Sequence, residues 1–113
     1  MTHSVITPEQ FDWMSELAGF ADVRANVWRY EPGASGRRHR HPVREETFVV
    51  LRGTLSMYVG DPPTREDVPA GGLITVKPGT PLQSVNHGDS ELLVYAYGFP
   101  PESENAELLP SAV

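Results

Sequence analysis

The chain has 113 residues, of which 39% are hydrophobic and 21% are charged, and its net charge at pH 7 is −6. These values are typical of one globular domain with a single core and exclude a disordered chain. The negative charge argues against nucleic acid as a partner, and the absence of cysteine excludes disulfides and thiolate metal sites. The chain has no apolar run of membrane-spanning length and no signal-peptide pattern at its start, so we expect a cytoplasmic protein with no membrane partner.

A short helix is predicted near the amino terminus, within "TPEQFDWMSEL", residues 7–17. Thr7 is a candidate N-cap, Pro8 suits the first helical position and Gln10 completes a capping box. We therefore expect residues 1–24 to form an arm that contains this helix.

Short apolar segments between frequent prolines and glycines follow, and they predict an all-β sandwich or barrel. The predicted strands lie in "ADVRANVWRYE", "RHRH", "ETFVVLRG", "GTLSMYVG" and "LITVK". Residues 60–72 contain three prolines and are predicted to be a loop. Residues 82–99 are predicted to be a hairpin with residues 86–89 at its tip. The acidic, proline-rich tail, residues 100–113, is expected to end in a short helical or extended arm.

Two histidines and a carboxylate form a candidate metal site. His39 and His41 are two residues apart, so in a strand both imidazoles project from the same face. Glu46 begins the next apolar strand and can bring a carboxylate to the same point. Two imidazoles and one carboxylate suit Zn, Mn, Fe or Ni as a divalent ion and leave positions for water or substrate.

The same residues belong to a longer pattern. Gly33, His39, His41, Glu46 and Gly53 stand in the order G-x5-H-x-H-x4-E-x6-G, which resembles the first motif of the cupin superfamily. A second cupin motif, G-x5-P-x-G-x2-H-x3-N, matches the spacing from Gly71 to Asn86. Lys77 replaces a proline of that motif. Leu82 stands where the family has a histidine as its fourth metal ligand, so this ligand position is degenerate.

The resemblance covers residues 25–99 and implies an antiparallel jelly-roll β-barrel, commonly a homodimer, that holds its ligands inside. Gln83, next to Leu82, is a candidate additional ligand, although it is expected on the opposite strand face. Strand alternation puts Phe48 and Val50 on the face of Glu46. We expect these two residues and three further aromatic residues to line an internal pocket: Trp28, Tyr30 and Tyr95.

Two functions fit this reading. The first is a metal-dependent enzyme that acts on a small oxygenated or carboxylated metabolite, with catalytic residues unassigned. The alternative is a non-catalytic cupin without metal that binds a small molecule or serves as a dimeric interaction module. Four arginines form a local cluster: Arg37, Arg38, Arg40 and Arg44. This cluster is either a solvated face, which is favoured, or an anion site.

Overall fold

The computed structural model describes residues 5, 7, 14–17, 24–100 and 106–113. These residues contain ten β-strands and no helix, so no described helix could cross a bilayer. The strands are β1 (Met14–Leu17), β2 (Arg24–Tyr30), β3 (His39–Arg40), β4 (Glu45–Arg52), β5 (Thr54–Val59), β6 (Thr64–Pro69), β7 (Leu73–Val76), β8 (Leu82–Val85), β9 (Leu92–Phe99) and β10 (Glu107–Leu108).

The strands form two five-stranded sheets. The first sheet has the order β1-β2-β9-β4-β7 and the second has the order β10-β3-β8-β5-β6. Every strand pair is antiparallel. The predicted all-β, antiparallel jelly-roll fold is therefore confirmed.

The core lies between the inner faces of the two sheets, because alternate residues of each strand point to the same side. Its buried members are Phe48, Val50, Leu55, Met57, Val68, Val76, Leu82, Leu92, Val94 and Ala96. Gly53 closes the tight connection between β4 and β5 with φ of +79°, and a Cβ there would lie 2.8 Å from the carbonyl oxygen of Glu91. A side chain at this position would be both strained and obstructed.

The amino-terminal segment differs from the prediction where the structure describes it. Met14–Leu17 forms β1 and pairs with β2 in the register Met14↔Trp28 to Leu17↔Ala25. Residues 8–13, the rest of the predicted helix, lie outside the described residues. The edge of β2 offers unpaired backbone groups to this segment, and such tertiary pairing overrides local capping signals.

Residues 60–72 are not all loop, because Thr64–Pro69 forms β6. This strand lies at the edge of the second sheet, where a proline costs no ladder hydrogen bond. Only Val68 of the strand is buried.

The predicted hairpin of residues 82–99 is also wrong. Strand β8 lies in the second sheet and β9 lies in the first. The six-residue connection between them is long enough to cross the roughly 10 Å between packed sheets.

The tail is extended at its end and joins the second sheet. Strand β10 pairs with β3 through Glu107↔Arg40 and Leu108↔His39, and the Leu109 amide donates to the Arg38 carbonyl oxygen at 2.8 Å. This edge pairing brings the carboxyl-terminal residues beside the strand that carries the histidines.

Candidate metal centre

Three side chains that the sequence proposes as ligands come together between the sheets. His39 and His41 come from β3 and the residue after it, whereas Glu46 comes from β4 of the opposite sheet. One ligand atom from each side chain lies within 4.8 Å of the others. Atoms that share one ion at about 2.0–2.3 Å are themselves roughly 3–4 Å apart, so small side-chain movements suffice to bind it.

The contact between His41 and Glu46 points to a missing third partner. His41 Nε2 and Glu46 Oε1 are 3.0 Å apart, and the two side chains are 11% and 14% exposed. This distance would allow an ion pair, yet among the described residues Glu46 Oε1 has no hydrogen-bond partner. The two atoms are close but not aligned for a hydrogen bond, and a short distance without alignment does not make one. His41 Nδ1 is likewise buried without a partner among the described residues. A buried carboxylate oxygen that lacks a partner and faces a histidine nitrogen is an arrangement that a cation can satisfy.

A backbone contact sets the proton position on His39. Its Nδ1 lies 2.8 Å from the carbonyl oxygen of Arg37. A carbonyl oxygen can only accept, so Nδ1 carries the proton and Nε2 of the neutral ring keeps its lone pair. Metal-ligating histidines generally have such a partner on the second nitrogen. The rings of His39 and His41 meet edge to face, with centroids 5.0 Å apart and an interplanar angle of 85°.

Leu82 lies directly opposite His39 in the β3–β8 pairing. It is buried and belongs both to the core and to the pocket lining. The position of the family's fourth ligand therefore holds an apolar side chain, and the described candidate ligands remain three.

Gln83 does not join this group. Its Nε2 donates to the Gly36 carbonyl oxygen and to Ser111 Oγ, both at 3.1 Å, and its Oε1 accepts from the Ala112 amide at 2.8 Å. Strand alternation places Gln83 on the face opposite Leu82, where it holds the carboxyl-terminal tail.

A pocket of about 740 Å³ opens above the candidate ligands. This volume lies within the usual range for small-molecule sites. Trp28 and Tyr30 form one wall with nearly parallel rings, at a centroid distance of 6.0 Å and an angle of 13°. Phe48 and Leu82 join the lining from the core.

Two of the five residues predicted to line the pocket lie elsewhere. Val50 shares a strand face with Phe48 but lies in the core, away from the pocket. Tyr95 lies next to Tyr97, with ring centroids 5.7 Å apart, on the face of β9 opposite the buried Val94 and Ala96. Both faces of β9 carry apolar residues, so hydrophobicity alone does not determine which alternate set faces inward.

Tyr30 brings a protonated phenol to the pocket. Burial raises its pKa to about 12, and the nearby Glu46 carboxylate adds to the effect, while a hydrogen bond with Ser84 opposes it. The hydroxyl therefore stays neutral at physiological pH and can donate a hydrogen bond.

The structure separates the arginine cluster into different environments. Arg38 lies 3.7 Å from an Asp61 carboxylate oxygen and donates to the carbonyl oxygens of Gly60 and Pro110. Arg40 forms a bidentate ion pair with Glu107, in which Nε and Nη2 donate to the two carboxylate oxygens at 2.8 and 3.0 Å. These two arginines tie the tail and the β5–β6 turn to β3.

Arg44 and Arg37 line the pocket. Arg44 is buried and donates from Nε to the Pro100 carbonyl oxygen at 3.2 Å. Gly98 makes room for it, since a Cβ there would lie 2.5 Å from Cδ of Arg44. Arg37 is exposed at the pocket edge.

Several residues that line the pocket were not predicted from the sequence. The pocket is also lined by Asn26, Ser84, Val94, Ala106 and Leu108. For Asn26 the signal was available, because it alternates with Trp28 and Tyr30 along β2. Nothing local in the sequence indicates that the tail residues Ala106 and Leu108 reach the pocket.

Comparisons with known proteins agree with this architecture. The family model described as "Cupin domain" matches residues 26–97. No curated protein matches the chain.

Three solved structures illustrate the likeness. An uncharacterized conserved protein with a double-stranded β-helix domain from Klebsiella pneumoniae has 21% identity and a TM-score of 0.78, with 95% of this chain and 91% of that chain covered. KdgF from a Halomonas species has 18% identity and a TM-score of 0.76, covering 90% and 97% of the two chains. A cupin-superfamily sugar phosphate isomerase from Silicibacter pomeroyi has 25% identity and a TM-score of 0.67, covering 79% and 60%.

The family match spans more than half of the chain, and the two described sheets have the corresponding architecture. The chain belongs to the cupin family.

Proposed function

We propose that this cupin binds one divalent metal ion through His39, His41 and Glu46 and acts as a metal-dependent enzyme on a small oxygenated or carboxylated metabolite. The observation that carries the proposal is the meeting of His41 Nε2 and Glu46 Oε1 at 3.0 Å without a hydrogen bond. The Arg37 carbonyl supports it, because it leaves the outer nitrogen of His39 free to ligate.

The ligand set fits Zn, Mn, Fe or Ni as a divalent ion, since two imidazoles and one carboxylate are borderline nitrogen and oxygen donors. When bound, the ion would supply Lewis-acid chemistry at a substrate oxygen. Leu82 adds no fourth protein ligand, so the site keeps open positions, as catalytic rather than structural metal sites do.

The residues around the ligands would orient a small substrate. Trp28 and Phe48 offer apolar surface, and the neutral hydroxyl of Tyr30 can donate a hydrogen bond to a substrate oxygen. The isomerase named for the Silicibacter structure supports an enzymatic role for a barrel of this kind.

Metal content and affinity test this proposal. Removal of a group that merely supports a ligand typically lowers metal affinity by 10- to 100-fold, so loss of a ligand itself should cost about 100-fold or more. We expect this loss for His39→Ala, His41→Ala and Glu46→Gln, measured by elemental analysis and calorimetric titration. His87→Ala is the matched control, because His87 contacts Tyr58 and does not line the pocket.

A gain-of-ligand variant sharpens the test. Leu82 faces the pocket opposite His39, so Leu82→His should supply a fourth ligand and tighten metal binding. Sub-stoichiometric metal that is unchanged by His39→Ala and His41→Ala would eliminate the proposal.

One observation favours a second candidate, a metal-free cupin that binds a small molecule without catalysis. The pocket floor is apolar where the family carries its fourth ligand, through Leu82, Phe48 and Val94. In that case chelator-treated protein would keep its full ligand affinity, and the histidine variants would bind as the wild type does.

A further inference from the structure

Arg37 differs from every other arginine whose side chain the structure describes. Each of the others has a partner within the protein: Arg29 and Arg52 pair with Glu91, Arg38 with Asp61, Arg40 with Glu107 and Arg65 with Asp67, while Arg44 donates to Pro100. Among the described residues, the Arg37 guanidinium has no such hydrogen bond or ion pair, and Arg37 is an exposed residue of the pocket lining.

This difference is unexpected in a chain with 15 acidic and 9 basic residues. Carboxylates are abundant, and even the exposed Arg40 and Arg65 have them as partners. A solvated surface role would account for an arginine that points away from the site. It does not account for an unpaired arginine among the residues that line the pocket.

Chain geometry keeps Arg37 close to the candidate ligands. In an extended segment, residues 37, 39 and 41 project to the same side, and successive members are roughly 7 Å apart along the chain. Arg38 and Arg40 accordingly face the other way, toward Asp61 and Glu107. A small ligand can therefore reach the imidazoles with one end and the guanidinium with the other.

The charges around the pocket favour an anion. Three arginines and two carboxylates line it, in a molecule whose net charge is −6. Glu46 would be neutralised by a bound cation, which leaves Glu31 as the opposing carboxylate in the lining. Basic residues thus outnumber acidic ones in the pocket lining, whereas acidic residues outnumber basic ones in the whole chain.

We propose that Arg37 binds an anionic oxygen group of the ligand, a carboxylate or a phosphate, at the pocket mouth. The ligand of the site is then a small anion whose apolar body lies against Trp28 and Tyr30. This inference deepens the proposed function and rests on it for the metal-facing end of the ligand. The anion-binding end does not depend on the metal.

The backbone and the side chain of Arg37 have different roles, so the side chain can be tested alone. Its backbone carbonyl supports His39, whereas its side chain would bind the anion. Arg37→Gln therefore removes the guanidinium and keeps the support of the candidate ligand. Arg65→Gln is the control, since it changes the net charge equally on the edge strand β6, away from the pocket.

Benzoate, phenyl phosphate and the neutral benzamide are suitable probes, because they share one aromatic body. Their affinities are measured by calorimetry or ligand-observed NMR, in metal-free and in metal-loaded protein. A charge-assisted pair in a partly desolvated site should favour at least one anion over benzamide by about tenfold or more. We expect this preference in the wild type and in Arg65→Gln, and its loss in Arg37→Gln.

The outcomes separate the two proposals. An unchanged preference in Arg37→Gln, or no preference in the metal-free wild type, would overturn the role of Arg37. A wild type that binds no metal but still prefers the anion would overturn the proposed function alone. The stronger binder of benzoate and phenyl phosphate identifies the head group, and the metal content of Arg37→Gln should equal that of the wild type.

Discussion

Asn86 holds the connection between the two sheets, and its removal should be costly. The side chain is 1% exposed. Its Nδ2 donates to the carbonyl oxygens of Tyr30 at 3.0 Å and Ser90 at 2.9 Å, and its Oδ1 accepts from the Gly88 amide at 3.0 Å. It thereby fixes the end of β2, which carries the aromatic wall of the pocket, to the crossing between β8 and β9.

The magnitude follows from these contacts. Asn86→Ala removes three hydrogen bonds of about 0.5–1.5 kcal/mol each, and the backbone groups left behind are poorly placed to find water. We expect the free energy of unfolding to fall by about 2–4 kcal/mol. For a domain of this size the melting temperature should fall by roughly 4 °C for each kcal/mol.

Urea unfolding followed by tryptophan fluorescence measures the change. Asn26→Ala is the control, because Oδ1 of this half-buried pocket residue accepts no hydrogen bond from the described residues. Its cost should stay below about 1 kcal/mol. If Asn86→Ala and Asn26→Ala lower the free energy of unfolding by the same amount, the three hydrogen bonds of the Asn86 side chain do not stabilise the fold in solution.

Two further predictions concern pH and association. The pKa of Tyr30 is raised from 10.0 to about 12 in the folded state, so the folded chain keeps a proton that the unfolded chain loses. Stability should therefore fall by about 2–3 kcal/mol as pH rises from about 10 to about 12, and Tyr30→Phe should remove this part of the slope in alkaline unfolding curves. The outer face of the first sheet exposes Leu73, Tyr97 and Phe99 by 60%, 38% and 60%, and we expect this face to join two copies in a homodimer. Light scattering should then report a monomer for Leu73→Glu and a dimer for the control Val113→Glu; a monomeric wild type would contradict the prediction.

The candidate ligands were predictable because their spacing is local. Two histidines in H-x-H share a strand face whatever the rest of the chain does. Only four residues separate Glu46 from His41, so Glu46 stays close to the histidines although it lies in the opposite sheet. Leu82 needed the family motif, since nothing in its own neighbourhood connects it with His39.

What the sequence did not reveal depends on contacts between distant residues. Capping signals near Thr7 and Gln10 say nothing about the free edge of β2, so the strand Met14–Leu17 was not foreseen. Alternation cannot assign the inward face of β9 when Tyr95 and Val94 are both apolar. The different partners of the arginine cluster are equally remote, as the 67-residue separation of Arg40 and Glu107 illustrates.

The tail, which pairs with β3 through β10, matters for the design of chimeric proteins. The family match ends at residue 97, yet Ala106 and Leu108 line the pocket, and Ser111 and Ala112 hold Gln83. Chimeras that exchange only the matched barrel between relatives would transplant an incomplete cavity. A segment fused directly after residue 113 would adjoin these contacts and could disturb the pocket wall that the tail forms.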